Sequence, residues 1–209
     1  MNKNIDNKLP IYKLTSKKKV LEYYKKWTKK SLYNQDMIDW KYIAPNESVY
    51  LFKKYVLDKK IKILDAGCGT GLVGLELKKA GFQNITGFDF SKNMLNLIPP
   101  KTYKKLKIFD LNNSIDVKDN FFGAILCVGT FTYGHVKSNA LDEFVRITKK
   151  FGYICFTVNE GIYKKNKFDK KILELKNKNF LKIISNKKSS YIINKNVKSW
   201  LCLVQVIKD

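Results

Sequence analysis

Residues 63–74 read Ile63-Leu64-Asp65-Ala66-Gly67-Cys68-Gly69-Thr70-Gly71-Leu72-Val73-Gly74. An apolar run, an acid, three glycines at alternate positions and a second apolar run describe a strand that turns sharply into a helix. Glycine permits the tight turn and lets the backbone lie directly against a ligand. Amides left free at the start of the following helix can meet a carboxylate or a phosphate. Gly69, Gly71 and Gly74 also satisfy the spacing of a dinucleotide fingerprint, and an acid, Asp89, follows about 20 residues later. Asp65 separates the two readings. A carboxylate just ahead of the first glycine repels a diphosphate but attracts a cofactor with a cationic amino-acid tail and a sulfonium. The run therefore favours S-adenosylmethionine over NAD, with a NAD-dependent oxidoreductase as the alternative.

The elements that must hold this loop follow from hydrophobic period and punctuation. Residues 17–30 carry Val20, Leu21, Tyr24 and Trp27 on one helical face. Residues 36–43 set Met37, Ile38 and Trp40 for burial. Ala44-Pro45-Asn46-Glu47 opens a further helix whose apolar face is Val49, Leu51, Phe52, Tyr55, Val56 and Leu57. From residue 60 strands and helices alternate, with strands at 61–66, 84–90, 106–109, 122–128 and 152–158 and helices at 72–80, 92–98, 138–148 and 167–176. Two extended segments follow, near 180–184 and 199–206. Gly81 sits where a helix end wants glycine, and Pro99-Pro100 stop the helix before them. The expected fold is α/β: a mostly parallel central sheet of about seven strands, Rossmann-like, with helices on both faces and an N-terminal helical lid. One domain is expected over 1–209, with a helical cap at 1–58, a cofactor-binding core at 59–160 and a C-terminal helix and strands at 161–209.

Asp65-Ala66-Gly67-Cys68-Gly69-Thr70-Gly71 resembles the first motif of class I S-adenosylmethionine-dependent methyltransferases. Gly87-Phe88-Asp89-Phe90-Ser91-Lys92-Asn93-Met94-Leu95 resembles the second-strand motif of the same family. The stretch Val128-Gly129-Thr130-Phe131-Thr132-Tyr133-Gly134-His135-Val136 and the upstream Tyr24, Trp27, Tyr33, Asp36 and Tyr42-Ile43-Ala44-Pro45 are similar to the Williams–Beuren syndrome chromosome region 27-like methyltransferases. Lys149-Lys150-Phe151-Gly152 departs from the wider family, where a Lys-Pro-Gly-Gly turn is usual.

The resemblance implies the site residues. Gly67, Cys68, Gly69 and Gly71 would bring backbone against the methionine part of the cofactor, and Asp65 would hold its ammonium directly or through water. Asp89 would accept hydrogen bonds from the ribose hydroxyls, with Phe90 and Met94 against the adenine. Asp110 and Leu111 would meet the adenine amino group and ring. Val128 and Gly129 close the fourth strand at the ligand crevice, where Gly129 leaves space beside the sulfonium. Tyr133 and His135 follow as the candidate catalytic residues, His135 as a general base near neutral pH. Tyr24, Trp27 and Tyr33 would form the lid against the substrate.

Composition bounds the rest. The chain has 209 residues and a formal charge of +23, yet Arg146 is its only arginine. Specific readers of nucleic acid rely on the bidentate fork of arginine. Scattered lysine implies weak, salt-sensitive association with polyanions, which keeps an RNA methyltransferase as one alternative. A cofactor-binding protein without catalysis is another. A small-molecule acceptor is expected, since the position after strand four reads Cys127-Val128-Gly129-Thr130 rather than the Asn/Asp-Pro-Pro-aromatic run of exocyclic-amine methyltransferases. Four scattered cysteines and one histidine argue for free thiols, no metal site and a cytoplasmic setting. No run suits a membrane span. Nothing in the sequence sets an oligomeric state.

Overall fold

The computed structural model describes residues 9–14, 16–29, 32–133 and 136–208. In chain order its elements are α1 (Lys17–Trp27), α2 (Leu32–Asp39), α3 (Ala44–Phe52), β1 (Ile63–Ala66), α4 (Leu72–Lys79), β2 (Ile85–Asp89), α5 (Lys92–Leu95) and β3 (Lys105–Ile108). The second half comprises β4 (Phe122–Phe131), α6 (Ala140–Ile147), β5 (Thr148–Asn159), α7 (Phe168–Asn177), β6 (Leu181–Ile192) and β7 (Val197–Val206).

The seven strands form one sheet in the order β3-β2-β1-β4-β5-β7-β6. Pairings from β3 to β5 are parallel, and β7 lies antiparallel between β5 and β6. This is the mostly parallel, Rossmann-like architecture expected. Strand order reverses beside β1: β2 lies on one flank and β4 on the other. That switch point opens a crevice beyond the carboxyl ends of the strands, which is where ligands of such sheets bind.

Burial explains the central strands. All four residues of β1 are buried, as are the first seven of β4, so these strands carry continuous apolar runs rather than alternation. Behind β4 the ring of Phe131 packs at 4.8 Å from Phe168, 5.8 Å from Phe156 and 6.1 Å from Phe144. Helices α3 and α4 pack together, as do α6 and α7.

Local chemistry sets the helix ends. Ser16 caps α1 by accepting from the Lys19 amide, and Ser91 caps α5 by accepting from that of Met94. Pro45 occupies the first turn of α3, where its missing amide costs nothing.

Several expectations are corrected. Helix α2 starts at Leu32 instead of 36; in that phase Met37 turns inward while Ile38, one position on, is exposed and Trp40 only half-buried. Tyr55 and Leu57 lie beyond the end of α3 and are exposed. Helix α5 is a single turn, because the chain must reverse before Pro99-Pro100. Strand β4 runs on to Phe131 through an irregularity after Cys127. Strand β5 starts at Thr148 because Phe151, in the left-handed region at φ 62°, forms part of a bulge against β4. The two terminal extended segments are full strands, joined through a short 3-10 turn at Ile193–Lys195. All four cysteines are buried and free. No helix among the described residues is long and apolar enough to cross a membrane.

Candidate cofactor site

At the switch point the ends of β1 and β2 are sewn together by the glycine loop. The amides of Gly67 and Cys68 donate to the Phe88 carbonyl at 2.7 and 3.0 Å. The next amide, Gly69, donates at 2.9 Å to Asp89 Oδ2, while Ser91 donates at 2.8 Å to Asp89 Oδ1. Asp89 is thus fixed by backbone on both oxygens at the mouth of a cleft that it lines.

That cleft encloses about 930 Å³, counting its open mouth. Every cofactor residue expected from sequence lines it except Asp65 and Gly71. Gly71 starts α4 at φ 89° and donates its amide to the Cys68 carbonyl at 2.8 Å, behind the wall rather than in it. Asp65 is fully buried beneath the loop, where it receives the Tyr103 hydroxyl on Oδ2 at 2.6 Å. Its Oδ1 is buried with no hydrogen-bond partner. A residue flanked by apolar neighbours within a strand buried on both faces cannot also be a cleft wall, so direct contact gives way to a charge set just under the floor.

Two glycines are there because nothing larger fits. Gly67, at φ 79°, lies against Thr130, and a Cβ would overlap the Thr130 hydroxyl, which donates to the Ala66 carbonyl at 3.3 Å. Gly129, at φ 81°, donates its amide to Thr157 at 3.0 Å, and a Cβ there would overlap the Tyr42 hydroxyl.

The electrostatics are unusual for so basic a chain. Burial pushes the Asp65 carboxyl up to about 7; the Tyr103 hydrogen bond opposes the rise and the charge of Asp89 adds to it. Burial likewise raises Asp89 to about 6, against the pull of the Ser91, Gly69 and Phe90 amides. Two neighbouring carboxyls that hold protons this tightly are starved of positive charge, a condition that a cationic ligand relieves. Asp110 is the opposite case. Burial disfavours its charge, but Lys17 at 2.6 Å and the amides of Asn112 outweigh it and hold the carboxyl below its usual range.

The N-terminal helices contribute to the cleft walls. Lys17, Val20 and Tyr24 of α1 line the cleft, as does Tyr33 of α2. The ring of Tyr24 meets Phe90 edge-on at 6.1 Å, and Asn34 of α2 accepts the Thr70 hydroxyl at 2.7 Å. Trp27 donates to Asp36 at 2.5 Å and lines an adjoining cavity instead of the cleft. Tyr133 is buried and lines neither space, while His135 lies outside the described residues.

Sequence reasoning passed over Lys17, Asn34, Tyr103 and Thr130. Tyr103 stands in a loop 38 positions from its acid with no motif around it. Pairing of that kind is visible only once the fold has brought the partners together.

A family model described as a methyltransferase domain matches residues 64–156. The chain is similar to human Methyltransferase-like protein 27, at 33% identity over 141 residues, covering 66% of this chain and 56% of that protein. It is also similar to the malonyl-[acyl-carrier protein] O-methyltransferase of Buchnera aphidicola, at 31% identity over 109 residues, covering 51% of this chain and 44% of that one. The chain thus spans about half the length of these curated relatives. Among solved structures, a SAM-dependent methyltransferase from Methanosarcina mazei shares the fold with a TM-score of 0.58 at 15% identity, over 76% of this chain and 98% of that one. With the glycine loop closing β1 and a backbone-fixed acid closing β2 of this sheet, the chain has the class I, Rossmann-like methyltransferase fold, and its residues 64–156 match a methyltransferase domain.

Proposed function

We propose that the chain binds S-adenosylmethionine in the cleft and transfers its methyl group to a small-molecule acceptor. The observation that carries this reading is the pair of proton-retaining acids, Asp65 and Asp89, beside a glycine loop that leaves no room for a Cβ at Gly67. A dinucleotide would bring negative charge to those acids; S-adenosylmethionine brings an ammonium and a sulfonium.

The residues present fit the group. Asp89, at the cleft mouth, suits the ribose hydroxyls, and the unpartnered Asp65 Oδ1 is an acceptor left over for the ammonium or a water serving it. Phe90, Met94 and Leu111 supply apolar surface for the adenine. Asp110 faces the same end, already engaged by Lys17. When bound, S-adenosylmethionine supplies an electrophilic methyl carbon. The chain's own task is then alignment and exclusion of water, which can be worth about 7–11 kcal/mol. Gly129 lets the Tyr42 hydroxyl reach the cleft wall, and α1 and α2 act as the lid. A roof of helices over a cleft of this size favours a small acceptor over a macromolecule.

The test is calorimetry with S-adenosylhomocysteine on the wild type and on Asp89→Ala. Heat and a raised melting temperature in the wild type, both lost in the variant, are the expected result. Absence of heat and of melting protection at millimolar ligand refutes cofactor binding. Turnover against metabolite extracts then separates catalysis from binding alone.

A further inference from the structure

Past Gly129 a second cavity of about 390 Å³ opens from the cleft. The two spaces share Tyr24, Tyr33, Tyr42 and Gly129. Tyr12, Trp27 and Tyr191 complete its aromatic walls, and among the described residues no charged side chain lines it. The rings brace one another: Trp27 stands edge-on to Tyr33 at 4.8 Å and parallel to Tyr24 at 6.4 Å. Tyr42 and Tyr191 meet edge-on at 5.1 Å with their hydroxyls hydrogen-bonded, packed against Gly129, whose missing Cβ makes room for the Tyr42 hydroxyl.

In a chain of net charge +23, such a cavity has the wrong sign for its surroundings. After burial itself, the charges that bear on its phenols include Asp89 at Tyr24 and Tyr33, Asp65 at Tyr42 and Glu160 at Tyr12. Each of these raises the phenol, so the rings stay neutral and present π faces and oxygen acceptors within a negative field. A carboxylate or phosphate entering there would be buried without a cation partner. An ammonium head gains from the ring faces and from the field together.

We propose that this cavity is the acceptor subsite and that it takes a small organic amine. The proposal rests on the methyl-transfer reading above. The ammonium gives up one proton to water at the cavity mouth, and the nitrogen lone pair forms the new N–C bond. The C–S bond breaks with its electron pair passing to sulfur, leaving a methylated ammonium and a neutral thioether. The oxygens of Tyr42 and Tyr191 sit where they can accept from the remaining N–H groups and aim the lone pair past Gly129.

The experiment uses choline as a quaternary probe and 3,3-dimethylbutan-1-ol as its uncharged isostere. Each is titrated calorimetrically into protein saturated with S-adenosylhomocysteine. Choline is expected to bind about tenfold or more tightly than the isostere. Trp27→Leu should cut the choline preference severalfold, while S-adenosylhomocysteine affinity changes little. If that variant fails to fold, Tyr12→Leu is read the same way. Equal affinities in the wild type, or a choline preference that survives undiminished in the variant, overturns the proposal. Should S-adenosylhomocysteine itself give no heat, the methyl-transfer reading falls. The same two titrations on the ligand-free wild type and variant then show separately whether the cavity selects cations.

Discussion

The strongest quantitative consequence of the site lies in the Asp65 carboxyl. The groups facing it are the Tyr103 hydroxyl at 2.6 Å, the Asp89 carboxyl, the Cys68 thiol and the Gly74 amide, none of them positively charged. With its carboxyl at about 7, it is protonated in acid and ionised only above neutrality. If the cofactor ammonium binds the ionised form alone, about 3% of molecules are competent at pH 5.5 and about 75% at pH 7.5, so affinity rises about 25-fold, worth about 2 kcal/mol. The probe is S-adenosylhomocysteine, because it keeps the ammonium and lacks the sulfonium. Calorimetry across that range should show tighter binding with rising pH and proton release on binding.

Two variants sharpen the test. Asp65→Asn cannot ionise, so its affinity should stay near the acid-limit value, with only the shallower dependence that Asp89 adds nearer pH 6. Tyr103→Phe strips the carboxyl of a hydrogen bond that favours its ionised form, so its midpoint should move further up and binding at pH 7.5 should weaken. The sign for the free protein is the reverse of the usual carboxylate case. A folded value raised above the unfolded 3.8 contributes stability below about pH 4 that is lost as pH climbs through about 7, so the ligand should protect against melting more at pH 7.5 than at 5.5. Affinity that is flat or falls with pH, or a full slope surviving in Asp65→Asn, would remove Asp65 from the cofactor site.

Gly129→Ala forces a Cβ into the Tyr42 hydroxyl at a left-handed φ of 81°, which should cost about 1–3 kcal/mol. Thermal unfolding should show a melting point lower by about 2–12 °C, since about 1 kcal/mol moves a domain of this size by about 2–4 °C. Lys17→Gln breaks the exposed pair with Asp110 that ties α1 to the cleft; folding stability should change by less than about 1 kcal/mol, while S-adenosylhomocysteine dissociation in stopped flow becomes severalfold faster. Association with bulk tRNA should be weak and should collapse with salt: raising salt from about 50 to 200 mM should cost about a thousandfold or more for six phosphate contacts. Tight binding at physiological salt would instead favour a nucleic-acid acceptor.

What could be read from sequence was whatever is local. The β1–loop–α4–β2 unit is continuous, so its apolar runs, glycines and acids carry their own geometry, and the mostly parallel sheet follows from the alternation of strands and helices. Misreadings cluster where a tertiary partner decides. Met37 is buried as expected, but Ile38, its neighbour on α2, turns out to solvent. Strand β6 is long because β7 pairs with it from Leu181 to Ile192, although its own residues alternate poorly. Asp65 was recognised as an acid near a cation, but its depth depends on Tyr103, and the clamp on Asp110 depends on Lys17, 93 positions away. The inner cavity draws its rings from residues as distant as Tyr12 and Tyr191, so no window of sequence contains it.

Net charge and local field are separate quantities in this fold, and chemistry follows the second. Lysine stems suit a surface, where the ammonium stays hydrated, so a large excess of them leaves the interior untouched. The sheet, by contrast, buries carboxyls where its strands end, and Asp89 lies close enough to Asp65 for its charge to raise that carboxyl further. The walls of the inner cavity are phenol and indole, which carry no charge to cancel the field. A polyanion drawn to the surface would meet rising repulsion on the way in, while a cation held off by the surface would be stabilised once inside. Selectivity of that kind predicts opposite salt effects at the two places. Added salt should weaken tRNA association and, by screening the repulsive exterior, should speed the entry of choline into the same molecule. A choline on-rate that slows with salt would show that the surface field does not act on entry in this way.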